Sequence, residues 1–161
     1  MTRFLQIAFF TLLTACQTTA VAQGTLCAKD EQIMFSCHLG KKTVSLCRPA
    51  GPEKTLVYRY GTSAKLELVY PDAARHEKGA FTQSTKPVFG GGVTSVIFQR
   101  GNYEYRVYSK LGRSSGASQD DRYPEFEDGV VIMQAGKELK KLVCDDSGEG
   151  FREGVEWLSE K

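Results

Sequence analysis

Thr94-Ser95-Val96-Ile97-Phe98-Gln99-Arg100-Gly101-Asn102-Tyr103-Glu104-Tyr105-Arg106-Val107-Tyr108 reads as two strands about a turn. Thr94, Val96 and Phe98 alternate with Ser95 and Ile97, and Tyr103, Tyr105 and Val107 oppose Glu104, Arg106 and Tyr108 on the return strand. Aromatic and β-branched residues at period two favour pleated strands, and Gly101-Asn102 between two such runs favours a hairpin. Arg106 and Tyr108 are thereby expected on one face, opposite Tyr105.

The same alternation extends outward. Upstream, Ile33, Phe35 and Cys37 alternate with Met34, Ser36 and His38, and Leu39-Gly40-Lys41 turns the chain toward Val44 and Leu46. Leu56, Tyr58 and Tyr60 share a face, Gly61-Thr62-Ser63 turns, and Leu66, Leu68 and Tyr70 continue until Pro71 stops the run. Downstream, Val130 to Gln134 and Glu138 to Cys144 pair across Ala135-Gly136-Lys137. Eight strands joined by local turns predict an all-β fold, an antiparallel eight-stranded barrel or sandwich. Residues 71–92 are polar or glycine-rich and end in Gly90-Gly91-Gly92, while residues 110–128 read as a long polar loop. Phe151, Val155 and Leu158 at i, i+4 and i+7 predict a short C-terminal helix, with Trp157 docking over an open edge or end of the sheet.

At 161 residues with 41% hydrophobic and 25% charged residues, the chain fits one globular domain and excludes a multidomain, disordered or polytopic membrane protein. Residues 23–120 carry 14 Lys and Arg against 8 Asp and Glu, a net +6, whereas residues 121–161 carry 6 against 11, a net −5. The basic residues are scattered along strands and do not cluster with aromatics, so no nucleic-acid partner is expected.

Arg3 followed by the apolar stretch Phe4 to Leu13 reads as an export signal over residues 1–22, leaving residues 23–161 as a single β domain. Two cleavage sites compete. Leu13-Thr14-Ala15-Cys16 has the form of a lipobox, in which Cys16 is lipidated, and Ala20-Val21-Ala22 fits ordinary signal peptidase. The expected location is the periplasm, anchored to the outer membrane where the lipobox is used, with no other membrane contact. Either route removes Cys16 from folding, and Cys27, Cys37, Cys47 and Cys144 remain as an even set expected to form disulfides.

Chemistry is sparse. His38 abuts Cys37, a pair read as a disulfide cysteine beside a histidine, and His76 lies in a charged loop. The chain lacks His-x-His, His-Glu-x-x-His and paired Cys-x-x-Cys, so neither a metal site nor a cofactor is expected. Asp145-Asp146-Ser147-Gly148-Glu149 begins like a calcium loop but lacks the distal acid, and Asp120-Asp121 with Glu125 to Asp128 read as solvated carboxylates. Tyr58, Tyr60, Tyr70, Tyr103, Tyr105 and Tyr108 all fall on predicted strands, where cross-strand packing explains most of them and a partner-binding face is the alternative.

The order of these features resembles the bacterial envelope proteins that inhibit c-type lysozymes. The resemblance rests on the lipobox, on Phe35-Ser36-Cys37 ending an early strand, on Cys144 ending the last, and on the intervening strands at Val57-Tyr58, Leu66 to Leu68 and Tyr103 to Tyr108. It implies a small antiparallel barrel bridged from Cys37 to Cys144. Four cysteines allow three pairings. For the remaining pair, a hairpin turning at Leu39-Gly40 sets Cys47 opposite Gln32, near where Cys27 enters. The family's Ser-Gly-x-x-Tyr loop enters the lysozyme cleft. Here the equivalent stretch is Phe89-Gly90-Gly91-Gly92, and Ser115-Gly116 comes later, with Tyr123 displaced from the motif's spacing.

The function expected is a non-enzymatic exported protein that binds another protein in the cell envelope, with inhibition of a cell-wall hydrolase such as lysozyme its most specific form. Its alternatives are an accessory lipoprotein of an envelope complex and a periplasmic immunity protein. The binding residues expected are Gly90, Gly91, Gly92, Tyr103, Arg106, Tyr108, Ser115 and Gly116.

Overall fold

A computed structural model describes residues 24–52, 54–72, 79–114, 123–146 and 149–161. The described residues form ten strands in two sheets and no helix. The four-stranded sheet is the meander β1 (Gln32–Leu39), β2 (Lys42–Arg48), β3 (Val57–Thr62) and β4 (Lys65–Tyr70). The six-stranded sheet contains β5 (Thr82–Val88), β6 (Gly91–Arg100), β7 (Tyr103–Arg113), β8 (Pro124–Gln134), β9 (Lys137–Val143) and β10 (Ser159–Glu160), in the order β10-β5-β6-β7-β8-β9. All-β architecture with two disulfides therefore stands, with two strands more than the alternation predicts.

The inner faces share one core. Val44 and Leu46 of β2 and Tyr58 of β3 pack with Val96 and Phe98 of β6, Val107 of β7 and Val130 of β8. Phe98 is the hub. Its ring stacks on Tyr70 at 4.5 Å and on Tyr105 at 4.9 Å, and meets Tyr58 at 4.9 Å and Phe81 at 5.4 Å. Offset and edge-on aromatic pairs add to the area they bury. Three of the six strand tyrosines thus join a single aromatic cluster, as cross-strand packing anticipates.

Several sequence-based expectations require correction. β1 carries a bulge: Ile33 faces Cys47 and Phe35 faces Leu46, leaving Met34 as the extra residue. The extra residue resets the alternation, so Met34 and Phe35 are both buried. The first hairpin turns at Gly40-Lys41, because Leu39 pairs with Lys42 and Gly40 adopts φ 65°, and this turn together with the bulge sets Cys47 opposite Ile33 rather than Gln32. β5 occupies a stretch read as strandless. Gly91 and Gly92 lie inside β6, and the turn is Phe89-Gly90 with Gly90 at φ 74°. The long loop is shorter than expected, since β7 runs to Arg113 and β8 begins at Pro124 in register with it.

The tail is not helical. Its apolar residues are used, but through bends and a turn closed by Leu158 N–H on the Val155 carbonyl: Phe151, Val155, Trp157 and Leu158 join the core, and β10 then pairs parallel with β5. Trp157 donates its indole N–H to the Gly154 carbonyl at 3.1 Å. β10 covers part of an edge that β5 would otherwise present unpaired.

Both expected bridges are present, Cys27–Cys47 and Cys37–Cys144. The first ties residues 24–31 across the outer face of the four-stranded sheet. There Leu26 N–H donates to the buried Ser45 hydroxyl, and Arg59 forks onto Glu31 at 2.5 and 2.9 Å. The second bridge joins β1 of one sheet to the residue that follows β9 of the other.

Candidate functional site

The expected binding residues fall in three places. Arg106 and Tyr108 are together, on the outer face of the six-stranded sheet. Tyr103 begins β7 beside the Gly101-Asn102 turn, on the opposite face by strand alternation. Gly90, Gly91 and Gly92 lie at the far end of the sheet, and Gly92 lines a 350 Å³ hollow with Leu111 and Phe151. Ser115, Gly116, Cys16, His76, Asp120 and Asp121 lie outside the described residues.

The outer face forms a groove of about 540 Å³, within the range of about 300–1,000 Å³ typical of small-ligand sites. Register dictates its layout. Ile97 faces Arg106, which faces Val131; Ser84 faces Ser95, which faces Tyr108, which faces Gly129; and Lys86 faces Val93, which faces Lys110, which faces Glu127. Small residues therefore sit between two rows of larger ones. Tyr108 does not fill the space above Ser95. Its hydroxyl donates to Glu127 at 3.0 Å and its ring lies under the Lys141 ammonium. Gly129 permits this, because a Cβ there would lie 2.9 Å from the Tyr108 hydroxyl and 2.2 Å from the Leu142 carbonyl oxygen.

The charges of the groove are organised. Lys141 contacts Glu127 at 2.7 Å, and this hydrogen bond, opposed by burial and aided by Tyr108, holds the Glu127 carboxyl below its ordinary value. Burial and the Glu127 hydrogen bond together raise Tyr108, which stays a neutral donor. Arg106 gives its Nε–H to Glu104 at 2.6 Å. Burial raises Glu104, but hydrogen bonds from Lys161 and Arg106 outweigh it and keep the group ionised. Lys110 approaches Glu125 at 3.4 Å, and Lys86 has no ion-pair partner among the described residues.

Asp145, Asp146 and the four cysteines are engaged in structure. The first two acids of the calcium-like stretch anchor the β1–β2 hairpin: Gly40 N–H donates to Asp145 at 2.6 Å, and His38 donates its backbone N–H and ring N–H to Asp146 at 2.8 and 2.6 Å. Two clusters with metal-ligand spacing occur among the described residues, Cys27, Glu31, Cys47 and Cys37, Cys144, Asp146. In each, both sulfurs belong to a disulfide and offer no thiolate.

A second surface lies at the end of the same sheet. Leu111 and Phe126 face each other across β7 and β8 and are 47% and 54% exposed. Phe89 is 58% exposed, and its carbonyl accepts from Arg113 N–H; Tyr123 is 67% exposed, and its carbonyl accepts from Ser114 N–H. Leu111, Tyr123 and Phe126 escape a reading that treats 110–128 as one loop. Extending the alternation through Val107, Ser109 and Leu111 is the signal that finds the first of them.

No protein-family model, curated protein or solved structure matches this chain.

Proposed function

We propose that the chain is an exported, non-enzymatic protein of the bacterial cell envelope that binds another protein through the far end of its six-stranded sheet. One observation carries the reading: four of the eight large apolar side chains exposed among the described residues, Phe89, Leu111, Tyr123 and Phe126, stand at that one end. Concentrated exposed apolar surface costs solubility and is characteristic of interaction sites, and aromatic residues dominate binding energy at such sites. The glycines expected to bind lie among them.

The compartment is supported by chemistry. Two disulfides persist where the surroundings are oxidising, in keeping with a signal over residues 1–22 and with lipidation at Cys16. The two-sheet arrangement supports the sandwich form of the fold. Inhibition of a cell-wall hydrolase such as a c-type lysozyme is the most specific form of the function, favoured by the resemblance of the strand order and the Cys37–Cys144 bridge.

Photocrosslinking from position 126 in intact envelopes tests the proposal, with position 67 on the four-stranded sheet as the control. One partner adduct at 126 and none at 67 is expected, and equal labelling or none at either site overturns it. Titration against a c-type lysozyme tests the narrower form. Near-stoichiometric loss of muramidase activity, relieved by Phe89→Ser with Phe126→Ser, supports inhibition, and unchanged activity removes it.

A further inference from the structure

We propose that the outer groove binds a single-chain amphiphile with an anionic head, an alkyl chain ending in carboxylate or phosphate. The groove lies on the outer face of the sheet, whereas Leu111 and Phe126 of the protein-binding proposal alternate onto the other face.

Shape is the first argument. The Ser84–Ser95 pair forms a low floor between the row of Lys86, Val93 and Lys110 and the row of Ile97, Arg106 and Val131. Tyr108 leans away across Gly129, leaving that floor open. The space is bounded by apolar side chains at Val93 and Ile97, and further along by Val131 and Met133.

Charge is the second. The lining holds four cations, Lys86, Arg106, Lys110 and Lys141, against two carboxylates. Of those carboxylates, Glu127 already accepts from both Tyr108 and Lys141. The Arg106 bond to Glu104 uses Nε, which leaves the terminal amino groups of the guanidinium as a fork for an incoming anion. Lys86 stands on the opposite row, across the serine floor, with no ion-pair partner among the described residues.

Donor inventory decides between a lipid-like ligand and a peptide. Lysine and arginine only donate, and four such side chains stand against two carboxylates and the Ser84 and Ser95 hydroxyls, so the balance favours a ligand whose polar atoms accept. A peptide brings an N–H with nearly every residue. It cannot add as a strand here either, because β6, β7 and β8 are paired on both sides. An acyl chain over the apolar residues with its anion on the Arg106 fork, and Lys86 adding positive charge from the opposite row, uses these features.

The test uses protein purified from envelopes of cells expressing the whole chain, titrated calorimetrically below micelle-forming concentrations. Laurate or dodecyl phosphate is expected to saturate at one per chain, and the head that binds more tightly names the source of the anion. Dodecyl maltoside and acetate, which lack the charge and the chain respectively, are expected to bind roughly tenfold or more weakly. Lys86→Gln with Arg106→Gln is expected to weaken laurate by about tenfold or more. Ser95→Leu, which fills the hollow without touching a charge, is expected to abolish it, and unchanged thermal unfolding of both variants confirms that they fold. Equal affinity for dodecyl maltoside, full affinity in both variants, saturable binding of an acidic peptide with laurate inert, or binding to anionic vesicles alone would each overturn the proposal. None of these outcomes bears on the adduct at position 126.

Discussion

Removing the Cys37–Cys144 bridge should cost more stability than removing Cys27–Cys47, and the difference follows from loop length. The two bridges span sequence separations of 107 and 20. In the chain-entropy description, a cross-link stabilises by limiting the unfolded chain, with a cost that grows as the logarithm of the closed loop. That gives about 4.8 kcal/mol for the longer loop and about 3.3 kcal/mol for the shorter. The gap of about 1.5 kcal/mol depends only on the ratio of the loops, so uncertainty in the constant cancels. Packing leaves the order intact, because Cys37 and Cys144 are both buried whereas only Cys47 of the other pair is. The double variants Cys37→Ala with Cys144→Ala and Cys27→Ala with Cys47→Ala would be compared by urea unfolding without reductant. The slope against urea should also rise more for the first pair, since its unfolded chain expands further. Equal costs, or a larger cost for Cys27–Cys47, would refute the entropic account and locate the benefit of the long bridge in native contacts.

Glu31 links stability to acidity. Burial raises its carboxyl, but hydrogen bonds from Arg59 and from Ala28 N–H bring it below the ordinary 4.5, so the folded state holds this proton less tightly than the unfolded one. Its contribution is present above that ordinary value and is lost as pH falls through the lower folded value. Glu31→Gln should therefore cost about 1–3 kcal/mol at neutral pH and much less near pH 2 in denaturant titrations. Gly129→Ala should destabilise by about 1–3 kcal/mol in the same assay, because its Cβ would meet the Leu142 carbonyl oxygen at 2.2 Å. Val155→Ala should cost about 2 kcal/mol, since this residue is 2% exposed within a tail that has no helix to hold it. A negligible cost there would show that the tail is not part of the cooperative core.

The central hairpin was legible because both strands alternate and Gly101-Asn102 marks the turn between them. Arg106 and Tyr108 follow from that alternation, and the structure sets both in the groove. Lys86 does not follow. β5 reads Thr-Gln-Ser-Thr-Lys-Pro-Val, with no apolar alternation, because it lies near the sheet's edge and the core contact comes from the preceding Phe81. The tail misleads for the opposite reason. Phe151, Val155 and Leu158 repeat like a helix, yet their backbone is committed elsewhere: Arg152 N–H donates to the Met34 carbonyl and Lys161 N–H to the Gln83 carbonyl. Periodicity reports which residues seek the core, and long-range partners then decide the path. The exposed pair Leu111 and Phe126 shows the same limit, since alternation can put a residue on the inner face without revealing where the opposing sheet stops.

The two bridges interleave, because Cys37 falls between Cys27 and Cys47 while its own partner is Cys144. A chain that meets an oxidant from its N-terminus onward presents Cys27 and Cys37 together before either native partner has arrived. Oxidation in order of emergence would join those two, and correct pairing would then require thiol–disulfide exchange, which takes seconds to hours without a catalyst. Yield in a host that supplies an oxidase but no isomerase should consequently be limited by mispaired monomer, while the same chain refolded as a complete polypeptide in a glutathione buffer escapes that order.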